Sequence, residues 1–124
     1  MHGVLDSSDA WGLNYENKSL CFILANLGYD VWLGNNRGNK YSKKHRYLNP
    51  KEKEFWNFTF HEMGQYDLPA IIKFIQKNTK STKNKIKKIT YIGQSMGTTQ
   101  LFIGLILFPD FFQKSLNGFI AMGP

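Results

Sequence analysis

A serine between two glycines is the residue of this chain best placed to do chemistry. The segment Gly93-Gln94-Ser95-Met96-Gly97 follows an apolar run typical of a buried strand and precedes an apolar, helix-like run. A Gly-x-Ser-x-Gly segment in that position is typical of a nucleophile elbow, a sharp turn that holds the serine hydroxyl above a sheet. We therefore predict Ser95 as a nucleophile, with Gly93 and Gly97 where a Cβ would collide with nearby backbone. An ordinary strand–turn–helix is the alternative interpretation.

Such a serine needs backbone amides that bind the oxyanion of the reaction intermediate. The amide that follows the serine, here that of Met96, usually gives one of them. His2-Gly3-Val4 matches the loop that gives the other, which predicts the Val4 N–H as donor and Gly3 as the residue that lets the chain pass close to substrate. Because the base of this elbow follows the serine, we interpret His2 as a structural residue of the loop.

The sequence after the elbow lacks the rest of a catalytic triad. Between Met96 and Pro124 there is no His and no Glu, and the only acid is Asp110. Asp110 follows Pro109 at the end of the predicted helix, so we expect it in a helix-end turn. Asp67 precedes the serine, and we interpret it as a helix cap. The triad Asp and His are thus absent from this chain, which predicts a fragment of a longer enzyme, with a partner that completes the site as the alternative.

The elements around the elbow alternate between helix and strand. The predicted elements, in chain order, are a helix over Lys18 to Leu27 capped by Asn17 and ended by Gly28, a strand over Tyr29 to Leu33, a helix over Tyr66 to Asn78, a strand over Ile86 to Ile92, a helix over Thr98 to Phe108, and a buried strand over Phe119 to Met122. This order predicts an α/β fold with a parallel sheet. No strand precedes the oxyanion loop, and the last strand is cut off, so we expect truncation at both ends, low stability and exposed apolar surface.

Three longer segments carry a more specific resemblance than the elbow does. They are residues 2–11, 24–39 and 61–70, and the most specific part is the run Gly-Tyr-Asp-Val-Trp-Leu-Gly-Asn-Asn-Arg-Gly-Asn at 28–39. Glu54-Phe55-Trp56, Phe58, Phe60 and the elbow add to the match. With these segments, nearly the whole chain resembles the acid lipase family of α/β-hydrolases, which includes gastric and lysosomal acid lipases and steryl-ester or triacylglycerol lipases. The chain departs from the family at the elbow, where Gln94 and Met96 stand in place of the usual His and Gln.

The resemblance implies a partial α/β-hydrolase fold, in which residues 1–124 form the N-terminal part of one domain, from the oxyanion loop to the strand after the elbow helix. It implies Ser95 as nucleophile, the Val4 and Met96 amides as oxyanion donors, and neutral lipid esters as substrates at a lipid–water interface. It also implies no cofactor, no metal, and a secretory, lysosomal or membrane-associated location. The alternatives are a non-catalytic fragment or pseudoenzyme that binds lipid or a partner, and a different carboxylester or thioester hydrolase.

Other features invite functional interpretations that we reject. The formal charge of +7 comes largely from lysine, with seven lysines between Lys73 and Lys88. We interpret this run as a solvated loop, and we predict no nucleic acid and no specific protein partner. His45 and His61 lack the spacing of a metal site. The aromatic residues at 55, 56, 58 and 60 are expected to pack against the sheet, with contact to lipid as the alternative.

Overall fold

A parallel pair of strands forms the centre of the chain. The structure is a computed structural model that describes residues 1–79 and 88–124. Strand β1 (Ile89–Gln94) pairs with β2 (Leu116–Met122), with Tyr91 opposite Phe119. The chain crosses between them through α4 (Met96–Leu107) and α5 (Pro109–Ser115). This β–α–β order confirms the predicted α/β class and parallel pairing. The lysine-rich loop over 80–85 lies outside the described residues.

The connection between the strands holds one more helix than predicted. Asp110, expected in a turn at the end of a helix, lies instead in the first turn of α5. Pro109 explains the difference because proline fits the first position of a helix, where no backbone N–H is needed. A carboxylate in the first turn also faces the positive end of the helix dipole. Asp110 is therefore placed as a residue that favours helix formation.

The helix predicted from Tyr66 begins six residues earlier. It consists of α2 (Phe60–Glu62), a π-helical turn (Met63–Asp67) and α3 (Leu68–Asn78). Thr59 starts it with a capping box: its side chain accepts from the His61 N–H, while the Glu62 carboxylate accepts from the Thr59 N–H at 2.7 Å. The predicted start was wrong because the first turns are polar and aromatic and give no apolar period. The Thr-x-x-Glu box was the available signal.

At the amino end, α1 (Leu20–Asn26) is shorter than the predicted helix. Ser19 occupies the cap position that was assigned to Asn17, and its side chain makes no capping bond. Gly28, at φ 89°, follows the helix in the left-handed conformation expected of a helix-ending glycine. Two short 3-10 helices, Ser8–Trp11 and Lys53–Trp56, complete the described helical structure.

Tyr29 to Leu33 is not a strand, contrary to the prediction. The segment has no regular secondary structure, and the Trp32 ring packs edge-on against Phe74 of α3 at 6.0 Å between centroids. A strand requires a neighbour that takes up its backbone hydrogen bonds, and within the described residues no strand pairs with this segment. Its apolar, β-branched composition predicted a strand but could not supply that neighbour.

The core lies between the sheet and the helices that follow and precede it. Its buried members come from α3, β1, α4 and α5: Leu68, Ile72, Tyr91, Leu101 and Phe112. The π-helical turn presses closely on α4, because a Cβ on Gly64 would lie 2.6 Å from the Gln100 carbonyl oxygen. In contrast, β2 leaves Ile120 49% and Met122 42% exposed. The strand predicted as buried is thus half-open in this chain, and the expected exposed apolar surface is present.

Candidate active site

Ser95 stands at the turn between β1 and α4 in a strained conformation. Its φ of 51° and ψ of −120° make it the only non-glycine residue with positive φ in the described ranges. Its N–H donates to the Met122 carbonyl oxygen at 2.9 Å, and its carbonyl oxygen accepts from the Thr98 N–H at 2.8 Å and hydroxyl at 2.7 Å. Such strain costs on the order of 1–3 kcal/mol and persists only where the surroundings fix it. The Ser95 side chain is half-buried and lies just beyond the carboxyl end of β1.

Close backbone packing on both sides of the serine explains the two elbow glycines. A Cβ on Gly93 would lie 2.6 Å from the Gly97 carbonyl oxygen. A Cβ on Gly97 would lie 2.5 Å from the carbonyl oxygen of Met1 and 3.0 Å from that of His2. These approaches are below any normal contact, so both positions require glycine. The elbow glycines thus let strand, helix and amino-terminal loop meet behind the serine.

A buried polar chain ties β1 to α4 across the turn. The Tyr91 hydroxyl donates to the Gly97 carbonyl oxygen at 2.6 Å, and the Gln100 side-chain amide donates to the Tyr91 hydroxyl oxygen at 3.1 Å. Burial raises the pKa of Tyr91, so the hydroxyl remains a donor. The sequence did not predict this link. Tyr91 appears there only as an aromatic residue of an apolar strand, and Gln100 only as a polar residue of an apolar helix.

The amino-terminal loop reaches the elbow through Met1. The Met1 α-amino group donates to the Ile92 carbonyl oxygen at 2.5 Å, and the Gln94 N–H donates to the Met1 carbonyl oxygen at 3.0 Å. These two bonds continue the sheet beside β1, on the side away from β2. Gly3 then passes directly beside the elbow, where a Cβ would lie 2.8 Å from the Gln94 side-chain oxygen and 3.4 Å from the Ser95 Cβ.

His2 lies inside the protein, and the hydrogen-bond partners of both its ring nitrogens lie in the loops rather than at Ser95. Its Nδ1 is 2.7 Å from the Gly3 carbonyl oxygen, and its Nε2 is 3.1 Å from both the Asn36 backbone nitrogen and the Asn39 side-chain nitrogen. The side chain is only 1% exposed. These contacts agree with the interpretation of His2 as a residue that shapes the loop.

The loop over 35–39 is the second support of the amino-terminal segment. The Asn35 side chain bonds Ser8 twice, at 2.9 Å to its N–H and 3.0 Å to its hydroxyl. Arg37 forms an ion pair with Asp67, with a shortest distance of 2.5 Å, and this bonding raises the pKa of the guanidinium. Asp67 makes no capping bond, so its interpretation as a helix cap was wrong. The residues around Asp67 favour a helix cap, but they give no sign of a pair with an Arg thirty residues away.

A cavity of about 770 Å³ is lined by both predicted oxyanion residues, Val4 and Met96. The rest of its lining combines apolar and aromatic residues with polar and charged ones: the first group is Leu5, Leu13, Trp56, Phe58, Phe60 and Met63, and the second is Asp6, Ser7, Asp9, Asn36, Asn39, Lys40 and Thr59. The aromatic residues were predicted to pack against the sheet, but Phe55, Trp56 and Phe58 pack on one another, with 4.9 Å between the ring centroids of Phe55 and Trp56. Trp56, Phe58 and Phe60 also line the cavity. The apolar part of such a lining can hold the acyl chain of an ester.

Two other features bear on the predicted site. Within residues 1–79 and 88–124, no group of three His, Cys, Asp or Glu side chains could hold a metal ion. In the same ranges, no helix is long and apolar enough to cross a membrane. His45 and His61, for which no chemistry was predicted, are both exposed.

Comparison with known proteins decides the family. The profile of the alpha/beta hydrolase fold matches residues 1–124. The chain belongs to this family. Within it, the hydrolase chain is 46% identical over 123 residues to human lipase member K, 47% identical over 123 residues to mouse gastric triacylglycerol lipase, and 45% identical over 123 residues to human lysosomal acid lipase/cholesteryl ester hydrolase. The predicted resemblance to acid lipases is confirmed.

The alignments cover nearly all of this chain but less than a third of each relative. Each alignment covers 99% of this hydrolase chain but only 29% or 30% of the relative. The chain therefore spans about three-tenths of the length of these lipases. The relatives establish the family and its fold.

Proposed function

We propose that this chain supplies the nucleophile and the two oxyanion amides of a lipid ester hydrolase. The observation that carries the proposal is the junction at the sheet edge. There, Gly3 lies so close to the strained Ser95 that a Cβ on Gly3 would be 3.4 Å from the Ser95 Cβ, and Val4 and Met96 line one partly apolar cavity. A nucleophile, two backbone donors and an apolar cavity are the parts that ester hydrolysis by an acyl-enzyme requires.

In the proposed reaction, the Ser95 hydroxyl oxygen attacks the carbonyl carbon of the ester as a base takes its proton. The carbonyl oxygen becomes an oxyanion that accepts hydrogen bonds from the Val4 and Met96 N–H groups. The C–O bond to the alcohol then breaks, and the alcohol leaves with that proton. Water attacks the acyl-enzyme next and releases the fatty acid and the free serine. Each N–H is expected to contribute about 10²–10³ in turnover.

The base and its acid are proposed to lie outside residues 1–124. After Ser95 the sequence contains no His, and Asp110, its only acid, lies in the first turn of α5. The proposed unit is therefore the N-terminal part of one hydrolase domain, from oxyanion loop to β2. In isolation it is expected to turn over esters little or not at all, since the serine hydroxyl is a weak nucleophile without a base.

The proposed substrates are neutral lipid esters, with triacylglycerols and steryl esters as the two candidate classes. Two relatives are named for such substrates, a gastric triacylglycerol lipase and a lysosomal acid lipase/cholesteryl ester hydrolase. The apolar and aromatic part of the cavity lining supports a long acyl chain. No cofactor is proposed, and the names of the same relatives support a secretory or lysosomal location.

The test uses the protein at its natural length, tagged at its own locus and captured from the source cells. Triolein, cholesteryl oleate and a short-chain ester are assayed with wild type, Ser95→Ala and Ser42→Ala. Ser42 is the matched control because it lies outside both the elbow and the lining of the cavity. We expect long-chain hydrolysis by wild type and Ser42→Ala and only background for Ser95→Ala, since removal of a serine nucleophile costs about 10⁶-fold. Undiminished hydrolysis by Ser95→Ala would overturn the proposal.

A further inference from the structure

His2 has no step of its own in the proposed reaction, yet it is buried as deeply as the core. Both of its ring nitrogens lie within hydrogen-bond distance of protein atoms: Nδ1 faces the Gly3 carbonyl oxygen, and Nε2 faces the Asn36 backbone nitrogen and the Asn39 side-chain nitrogen. A buried polar ring is costly unless such partners are satisfied. The ring therefore connects the oxyanion loop to the loop over 35–39.

The partners of Nε2 determine which nitrogen carries the proton. A backbone N–H can only donate, so Nε2 must accept from Asn36 and holds no proton. The orientation of the Asn39 amide agrees, because its oxygen accepts from the Tyr41 N–H at 3.0 Å and its nitrogen donates to the Asn35 oxygen at 2.6 Å. The nitrogen of that amide is thus the atom that faces Nε2. The neutral ring is left with its proton on Nδ1, which donates to the Gly3 carbonyl oxygen at 2.7 Å.

The Gly3 carbonyl and the Val4 N–H belong to the same peptide unit. In a planar trans peptide these two groups point in opposite directions. A hydrogen bond that fixes the direction of the carbonyl therefore also fixes the direction of the N–H. Gly3 has no side chain to restrict this peptide, so the restriction must come from its bonds. Those bonds are the one from His2 and a longer one from the Asp6 N–H at 3.3 Å.

We infer that His2, held as the Nδ1–H tautomer by Asn36 and Asn39, aims the Val4 amide at the oxyanion. His2 is a positioning residue for the second oxyanion donor, and it acts through the Gly3–Val4 peptide. This role rests on the proposed function, whereas the tautomer and the bond to Gly3 do not.

The first arm of the test is an NMR measurement on the natural-length protein with ¹⁵N-labelled histidine rings. His2 is identified as the signal missing from a His2→Asn variant, which separates it from every other histidine. We expect a neutral ring with the proton on Nδ1 and an unprotonated Nε2. A ring protonated on Nε2, or on both nitrogens at neutral pH, would overturn the inference regardless of any activity.

The second arm compares His2→Asn with His2→Gln in the captured, natural-length protein. Asn can place a donor near the position of Nδ1, whereas Gln extends to the position of Nε2 and leaves the Gly3 oxygen without its donor. Both remove the ring, so a merely structural role predicts similar losses. We expect kcat to fall about tenfold to hundredfold for His2→Gln, which is less than the loss of a whole oxyanion donor, with KM within about twofold. His2→Asn is expected to recover most of kcat.

The outcomes of the two arms are separable. Equal kcat values for His2→Asn and His2→Gln would overturn the positioning role while leaving the proposed hydrolase intact. A wild-type protein that hydrolyses no ester would overturn the proposed function, and the aiming role with it. In that case the NMR arm still decides whether the tautomer and the bond to Gly3 are as inferred.

Discussion

Met96 and Val4 both line one cavity, but the chain holds their amides by different means. Met96 follows a strained serine in a turn that is fixed by close backbone contacts at Gly93 and Gly97. Val4 follows a flexible glycine whose carbonyl is held by His2, and through it by the loop over 35–39. Close backbone packing therefore fixes the Met96 amide, and a hydrogen-bond network fixes the Val4 amide.

This difference predicts unequal tolerance to substitution. Backbone atoms that already touch cannot make room for a methyl group, so the elbow side should lose stability at the smallest change. A hydrogen-bond network loses only the bonds of the side chain that is changed. We therefore expect substitutions to reduce the stability most at the elbow and least at the loop over 35–39.

The largest loss is expected for Gly97→Ala. Its Cβ would overlap the Met1 carbonyl, with 2.5 Å to the oxygen and 2.9 Å to the carbon. Overpacking against backbone should cost about 3 kcal/mol or more in the free energy of unfolding. Chemical denaturation followed by circular dichroism measures it. Gly118→Ala on β2 is the control, because its Cβ would meet only the Thr90 side chain at 3.6 Å, an ordinary contact. Equal stability of the two variants would contradict steric control at the elbow.

Tyr91→Phe should cause an intermediate loss. The variant keeps the ring but removes the hydroxyl that donates to Gly97, and it leaves the fully buried Gln100 amide nitrogen without its acceptor. A buried unpaired donor and a lost bond together should cost about 2 kcal/mol. The same denaturation assay measures this loss against Tyr15→Phe, whose side chain is 77% exposed. A loss no larger than that of Tyr15→Phe would show that the link across the elbow does not stabilise it.

The smallest of the three losses is expected at the loop, for Asp67→Asn. The ion pair with Arg37 is partly solvated, with side chains 34% and 16% exposed, so screening reduces its contribution to about 1 kcal/mol. Thermal unfolding at low and high salt measures it, and the difference from wild type should shrink as salt rises. Asp9→Asn breaks the more exposed pair with Lys40 and should change the unfolding temperature less. A loss above that of Tyr91→Phe would reverse the proposed order.

The elbow side was largely predictable because its physics is local. Gly93, Ser95 and Gly97 lie within five residues, and the strand and helix around them have apolar patterns that predict both elements. The turn itself forces the close contacts. The order of strand, helix and strand followed from the same stretch, and the structure differs there mainly in the added helix α5.

The loop side was predictable only in part, because its contacts join distant residues. His2 could be interpreted as structural from the order of a triad, but its bonds to Asn36 and Asn39 span more than thirty residues. Arg37 and Asp67 pair across thirty residues, and local sequence favoured a cap instead. The strand predicted at Tyr29 to Leu33 was wrong for the same reason, since pairing depends on a neighbour that local composition does not supply.

The most direct test of the central claim is to find which residue reacts. The natural-length protein, captured from its source cells, is treated with a fluorophosphonate, which forms a stable adduct with an activated serine, and its peptides are mapped by tandem mass spectrometry. We expect the adduct on Ser95, and no adduct after Ser95→Ala. An adduct on a different serine, or ester hydrolysis with Ser95 left unmodified by the reagent, would contradict the assignment of Ser95 as the nucleophile.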